Sequence, residues 1–180
     1  LEDLSGFLEN KKEKSPITVI GATSNLLVRD GGIPGVVIRL GKPFSNIVPL
    51  QKSLRVGSAA LNSQVSRAAL RADRTGLEFL SGIPGTIGGG LRMNAGSYGS
   101  EFKDILIEAE IMDPIGNVHV WSVDELGFKY RQCSVDSDWI FLSALFKAPL
   151  AEPDEIKSKI ENIRLKRIDS QPIKEKTSGS

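Results

Sequence analysis

The 180-residue sequence contains one cysteine, Cys133, and one histidine, His119. A single thiol excludes an intrachain disulfide and a cysteine metal cluster. A single imidazole excludes a histidine pair and a zinc site of the usual composition, so no metal centre is expected, nor a Ser-His-Asp triad. Charge of one sign is also lacking: 23 basic side chains face 22 acidic ones, a net charge of +1. That balance gives no reason to expect nucleic acid or an anionic membrane as partner. No apolar run approaches the length of a membrane span and no signal peptide is visible, which makes a cytoplasmic protein the default expectation. No internal repeat is present, and nothing in the pattern points to an obligate protein partner. What remains is an ordinary globular composition, 40% hydrophobic and 25% charged, enough for one good-sized domain or two small ones.

The periodicity mixes helices and strands. Leu4, Phe7 and Leu8 recur at helical spacing ahead of the solvated run Lys11-Lys12-Glu13-Lys14, which predicts a short amphipathic helix. Residues 17–20 form a compact β-branched run closed by Gly21, and residues 36–40 form another between Gly35 and Gly41; both read as strands. A weaker strand is expected at 54–56 and a helix at 61–72. Ile105, Ile107, Ala109 and Ile111 alternate with other residues, the turn cluster Asp113-Pro114-Ile115-Gly116-Asn117 follows, and Val118 and Val120 continue, which predicts a β-hairpin. His119 in that hairpin reads as a solvated side chain. Residues 139–146 read as a strand and 152–168 as a helix with Ile156, Ile160 and Ile163 on one stripe. The acidic start of that helix and its basic end suit the macrodipole. Such irregular alternation predicts an α+β fold more than a doubly wound sheet. The break in pattern near 43–51 is expected to separate two subdomains.

Two glycine-bearing loops stand out. The first, Gly21-Ala22-Thr23-Ser24-Asn25-Leu26-Leu27, follows a predicted strand directly. The second, Gly82-Ile83-Pro84-Gly85-Thr86-Ile87-Gly88-Gly89-Gly90, continues through Asn94, Ala95 and Gly96 to Gly99 with little regular periodicity. Glycine permits close backbone approach, and successive exposed N–H groups form an anion-binding concavity. Hydroxyls of Ser24 and Thr86 and the amide of Asn25 add donors, so two such loops suit a pyrophosphate. Ordinary tight turns are the alternative reading, more so for the first loop than for the second, whose glycines lose much conformational entropy on ordering. No G-x-G-x-x-G is present, which disfavours a Rossmann site. Residues 35–42 are not a P-loop, because the spacing is one residue too long and Pro43 follows Lys42 where Ser or Thr belongs.

The order of motifs is more specific than any one of them. The first loop with Val28-Arg29-Asp30-Gly31-Gly32, the second loop, Asn94-Ala95-Gly96, Tyr130-Arg131 and Gln171-Pro172-Ile173-Lys174-Glu175-Lys176 occur in that sequence. The series closely resembles the UDP-N-acetylenolpyruvoylglucosamine reductase (MurB) family of bacterial peptidoglycan precursor synthesis, over nearly the whole chain. The first loop alone suggests only the wider superfamily of FAD-binding oxidoreductases. The resemblance implies an α+β FAD-binding fold of the MurB and vanillyl-alcohol-oxidase type, with two subdomains clasping the flavin. Residues 1–50 are then the later part of the first subdomain and 51–168 the second. Residues 169–180 are a linker and the start of a third, substrate-covering domain. Further residues are expected at both ends.

It also implies the chemistry. In the family NADPH reduces FAD, which passes the hydride to the enolpyruvyl group of a UDP-sugar, a small-molecule substrate. Arg131 matches the family arginine that binds and polarises the substrate carboxylate, and Ser180 the serine that protonates the intermediate; these are the implied catalytic residues. Gly21, Ser24, Asn25, Leu26, Gly82, Ile83, Pro84, Gly85, Thr86, Gly88, Gly89, Asn94 and Gly96 are the implied cofactor-binding residues. The catalytic glutamate of the family has no counterpart here and is expected beyond Ser180. The chain departs from the family pattern at Thr23, where glycine is favoured, at Cys133, usually serine, and at Ser178, more commonly glycine. If position 23 requires positive φ, threonine is costly there. An oxidase of the same fold with a covalent flavin is disfavoured, since neither histidine nor cysteine lies near the first loop. A non-catalytic nucleotide-binding module is the remaining alternative.

Overall fold

The computed structural model describes residues 1–11 and 15–170. The stripe of Leu4 and Leu8 forms α1 (Glu2–Asn10), and two β-branched runs form β1 (Ile17–Ile20) and β2 (Val36–Arg39), which pair in parallel. Between β1 and β2 the chain makes the first glycine-bearing loop. A 3₁₀ turn at Lys42–Phe44 then leads into β3 (Ile47–Pro49) and β4 (Ser53–Gly57). The helix α2 (Asn62–Arg71) buries Val65 and Ala69, the face its spacing predicts. A 3₁₀ segment at Glu78–Gly82 precedes α3 (Ile87–Arg92), the two-residue strands β5 (Gly96–Ser97) and β6 (Ser100–Glu101), and the single turn α4 (Phe102–Ile105). The hairpin β7 (Leu106–Met112) and β8 (Val118–Ser122), the strand β9 (Ile140–Lys147) and α5 (Pro153–Ser170) complete the described chain.

The larger sheet is antiparallel, in the order β3-β4-β9-β7-β8. One face carries the main core. Leu54, Val56, Ala144 and Phe146 pack there against α2 and α3, and Phe102 sits edge-to-face on Phe146 at 5.8 Å and near Phe79 at 6.2 Å. Ile163 of α5 joins that core, and Ile156 is buried, so the predicted isoleucine stripe does face inward. At one end of the opposite face Met112, Ile140 and Leu142 form a second cluster with Leu8 of α1, and Ile17, Val19 and Ile38 of the parallel pair pack on it. This apolar contact attaches the small sheet to the large one. The chain passes from one sheet to the other between Arg39 and Ile47.

Three local expectations are corrected. The alternation of Ile105, Ile107, Ala109 and Ile111 does not persist, because a register shift between Leu106 and Glu108 inserts a bulge. Leu106 is fully buried in place of Ile107, and Ile105 belongs to α4. The glycine-rich stretch is not irregular throughout, since α3 runs through Gly88, Gly89 and Gly90. Tight packing overrides poor propensity there: a β-carbon at Gly90 would overlap the Phe102 ring, and one at Gly88 would lie 3.1 Å from Ser58 Cβ. His119 is not merely solvated. It is paired with Ile111 in the hairpin, on the core-facing side, where its Nε2 lies 2.9 Å from Asp113 Oδ2. Its ring stands 5.1 Å from Trp139, which in turn packs on Trp121.

Candidate functional site

The first loop leaves the carboxyl end of β1, the end of a parallel sheet at which ligand-binding loops gather. The second loop faces it from the start of α3. They touch: Gly21 lies directly on the Thr86 side chain, and a β-carbon at Gly85 would be 3.1 Å from Ser24 Oγ. Farther along, the Asn25 amide donates to Met93 Sδ at 3.3 Å, which ties the first loop to the end of α3. A cleft of about 960 Å³ opens between the two loops, at the upper end of the range for small-molecule sites.

The backbone supplies its polar lining. Thr86 caps α3, its hydroxyl accepting from Gly89 N–H at 3.4 Å. The N–H groups of Ile87 and Gly88 are spent on Ala60 and Ser58 carbonyls, at 2.9 and 2.8 Å. Among the described residues, the N–H groups of Thr23, Ser24 and Asn25 in one loop, and of Gly85 and Thr86 in the other, donate to no protein acceptor. Donors converging from two directions are what a pyrophosphate requires. Thr23 has φ +56°, the left-handed region in which a β-branched residue is a true outlier, and its Oγ1 donates to the Ala22 carbonyl at 2.8 Å.

The cleft brings together nearly every expected cofactor-binding residue. Gly21, Ser24, Asn25 and Leu26 line one wall; Gly82, Ile83, Pro84, Gly85, Thr86, Gly88 and Gly89 line the other, with Gly96 near its end. Asn94 is placed differently. It is buried behind the wall, with Nδ2 donating to Glu101 Oε2 at 2.9 Å and to the Lys129 carbonyl at 3.1 Å, and Oδ1 accepting from Lys103 N–H at 3.0 Å. Its polar atoms are therefore engaged within the protein.

Two lining residues escaped sequence reasoning. Ser58 and Asn62 are almost fully buried, yet Ser58 Oγ and Asn62 Oδ1 have no hydrogen-bond partner among the described residues. The Asn62 amide nitrogen is fixed on the Ile83 carbonyl at 3.3 Å, which leaves its oxygen as an unmatched acceptor. Orphaned polar atoms beside a glycine-lined cradle fit a polar cofactor such as FAD, which has hydroxyl and N–H groups to offer. Neither residue has a motif around it, so only their burial without partners reveals them.

Arg131 also lines the cleft. It sits with Tyr130 at the apex of a tight turn closed by Lys129 N–H to Gln132 O at 2.9 Å and Gln132 N–H to Lys129 O at 3.3 Å. Arg131 has φ +55° and makes no ion pair among the described residues; its guanidinium lies 5.8 Å from the Tyr130 ring. The Lys103 ammonium, and next the Asn94 amide, hold the Glu101 carboxyl below the ordinary carboxylate range, with a smaller push from the charge of Arg131. Cys133 is a buried free thiol, in keeping with a structural role. Ser180, and the stretch from Gln171 to Lys176, lie outside the described residues. No group of histidine, cysteine and acidic side chains suited to a metal occurs among the described residues.

The class is defined by this pairing of fold and cradle: the chain belongs to the FAD binding domain family, whose model matches residues 2–122. Its particular relatives are reductases. The chain is 48% identical over its entire length to UDP-N-acetylenolpyruvoylglucosamine reductase of Paramagnetospirillum magneticum, of which it covers 59%. It is 49% identical over 99% of its length to the Rickettsia akari reductase of the same name, covering 61% of it. Among solved structures, the crystal structure of UDP-N-acetylenolpyruvylglucosamine reductase (MurB) from Thermus caldophilus superposes with a TM-score of 0.83 at 34% identity. That match takes in 95% of this chain and 60% of the other. The chain thus spans about 60% of the length of the relatives it matches. No described helix is long and apolar enough to cross a membrane.

Proposed function

We propose that the chain holds the flavin of an NADPH-dependent reductase, cytoplasmic in location, that converts UDP-N-acetylglucosamine enolpyruvate to UDP-N-acetylmuramate for peptidoglycan synthesis. The observation that carries this reading is the convergence of two loops with unpaired N–H groups on one cleft that Arg131 also lines. FAD, when bound, supplies hydride transfer between NADPH and the enolpyruvyl double bond. The unpaired N–H groups of Ser24, Asn25, Gly85 and Thr86 would hold its pyrophosphate, with Leu26 beside them, and the glycines around them would leave room for it. The forked, permanently charged guanidinium of Arg131 binds the substrate carboxylate and opposes the negative charge that builds on the adjacent carbon. Ser180 delivers the proton to that carbon. In this reading the two sheets are the two subdomains that clasp the flavin; the passage between them falls at 39–47 rather than at the expected 50, because β3 (Ile47–Pro49) already pairs with β4, and 169–180 begins the part that covers the substrate.

The test uses the protein expressed from its complete reading frame. It should purify yellow and release its flavin on denaturation. Under anaerobic conditions, NADPH should bleach the flavin and the enolpyruvyl UDP-sugar should restore its colour. Failure of that substrate to reoxidise the flavin would refute the reading. Ser180→Ala should slow the reoxidation far more than the reduction by NADPH, and Ser178→Ala should do much less.

A further inference from the structure

We propose that Arg92 and Asn94, at the end of the glycine-rich helix, are positioning residues that hold the Arg131 turn in place at the cleft. The proposal rests on the reading of Arg131 as the carboxylate-binding residue. The turn is gripped on both arms from the same short segment. On the entering arm, Asn94 Nδ2 donates to the Lys129 carbonyl at 3.1 Å. On the departing arm, Arg92 Nη1 donates to the carbonyls of Val135 at 2.6 Å and Asp136 at 2.9 Å, and Nη2 to that of Trp139 at 2.7 Å. The Arg92 guanidinium also lies over the Phe141 ring, 5.0 Å from its centroid.

Three carbonyls that converge on one side chain need a planar fork of donors, and a lysine ammonium cannot span them with comparable geometry. The turn has reason to need such holding. Arg131 occupies the left-handed region, which a non-glycine residue retains only where its surroundings over-determine it. Arg92 and Asn94 supply that constraint; Arg92 ends the helix and Asn94 lies just beyond it, and the loop that leads into the same helix carries the unpaired N–H groups of Gly85 and Thr86. The glycine-rich segment thereby fixes two things at once: the N–H groups that face the cofactor and the place of the guanidinium that faces the substrate. Loosening the clamp frees Arg131 to leave its strained conformation while the cradle stays intact.

The experiment compares Arg92→Lys with wild type in the FAD-loaded protein from the complete reading frame. Amide hydrogen exchange in peptides covering 129–139 should quicken by about 10-fold or more, with the strands at 54–57 and 140–147 unchanged. The KM for the enolpyruvyl UDP-sugar should rise about 10-fold and its turnover fall, while FAD affinity and flavin reduction by NADPH stay within about 2-fold. Exchange at 129–139 equal to wild type, or equal losses in both half-reactions, would overturn the proposal. Arg92→Ala is the harsher variant; if it fails to retain flavin, the lysine variant decides. If wild-type flavin is not reoxidised by the UDP-sugar, the reductase reading fails, and the exchange result still decides whether Arg92 holds the turn.

Discussion

Gly21 and Thr86 meet with no room for a side chain between them: a β-carbon at position 21 would overlap the Thr86 hydroxyl. The two loops of the cradle are therefore joined at a point only glycine permits. Gly21→Ala should part them and lower FAD affinity by about 10-fold or more, since the cradle's donors must converge to bind. Thr86→Ala alone should cost about 1 kcal/mol through loss of its cap. In the Thr86→Ala background most of the clash is gone, so the second substitution should cost much less than it does in wild type. Additive losses in a double-mutant cycle, read by flavin titration and urea unfolding, would show that the contact is not the cause.

Gly90→Ala and Gly89→Ala should change stability in opposite directions. Alanine ordinarily favours a helix interior by about 1 kcal/mol over glycine. At Gly90 the added carbon meets the Phe102 ring, and overpacking of that kind costs about 1–3 kcal/mol. At Gly89 the nearest atom is Thr86 Oγ1 at 3.7 Å, an ordinary contact, so the flavin-free protein should gain stability. Gly89 lines the cleft, and the same alanine should weaken flavin binding. Urea midpoints of the flavin-free proteins measure the first effect and flavin titration the second.

Thr23→Gly should stabilise. Holding threonine at φ +56° costs about 1–2 kcal/mol, of which glycine's greater unfolded-state entropy offsets about half. A rise of a few degrees in Tm is expected, about what a net gain of 0.5–1 kcal/mol produces in a protein of this size. An unchanged or lower Tm would mean that the loop relies on threonine.

Acid should loosen the β7–β8 hairpin through Asp113. Burial raises this carboxyl's pKa, but hydrogen bonds from His119, Asn117 and Ile115 outweigh that and hold it at about 2, against an ordinary 3.8. The lowered value means that the stabilisation is complete above about pH 5 and is lost as pH falls toward 2. Asp113→Asn should remove this dependence. Between pH 5 and pH 2.5, wild type should lose about 1–2 kcal/mol more than the variant in urea unfolding. Parallel losses would show that Asp113 does not control the acid limb.

The sequence alone determined much of this protein. Compact apolar and β-branched runs marked β1, β2 and β9, and helical apolar spacing marked α2 and α5, near their observed positions, because such runs and stripes are what an element needs in order to bury its side chains. The two glycine loops were legible because backbone approach to a charged ligand needs glycine, and their order with Tyr130-Arg131 pointed to the family. Other features needed the fold. The bulge after Leu106 turned Ile107 away from the core, a choice made by pairing with β9 that no local pattern encodes. A helix through Gly88, Gly89 and Gly90 exists because Phe102 and Ser58 press against it, and both are distant in sequence. Asn94, written into the motif as a cofactor residue, is spent on Glu101, Lys103 and Lys129. Ser58 and Asn62 became visible only as buried polar atoms without partners, and Arg92 only as a fork holding three carbonyls. Spacing along a chain reports which face of an element is apolar; which backbone carbonyls a side chain can reach is decided by tertiary contact alone.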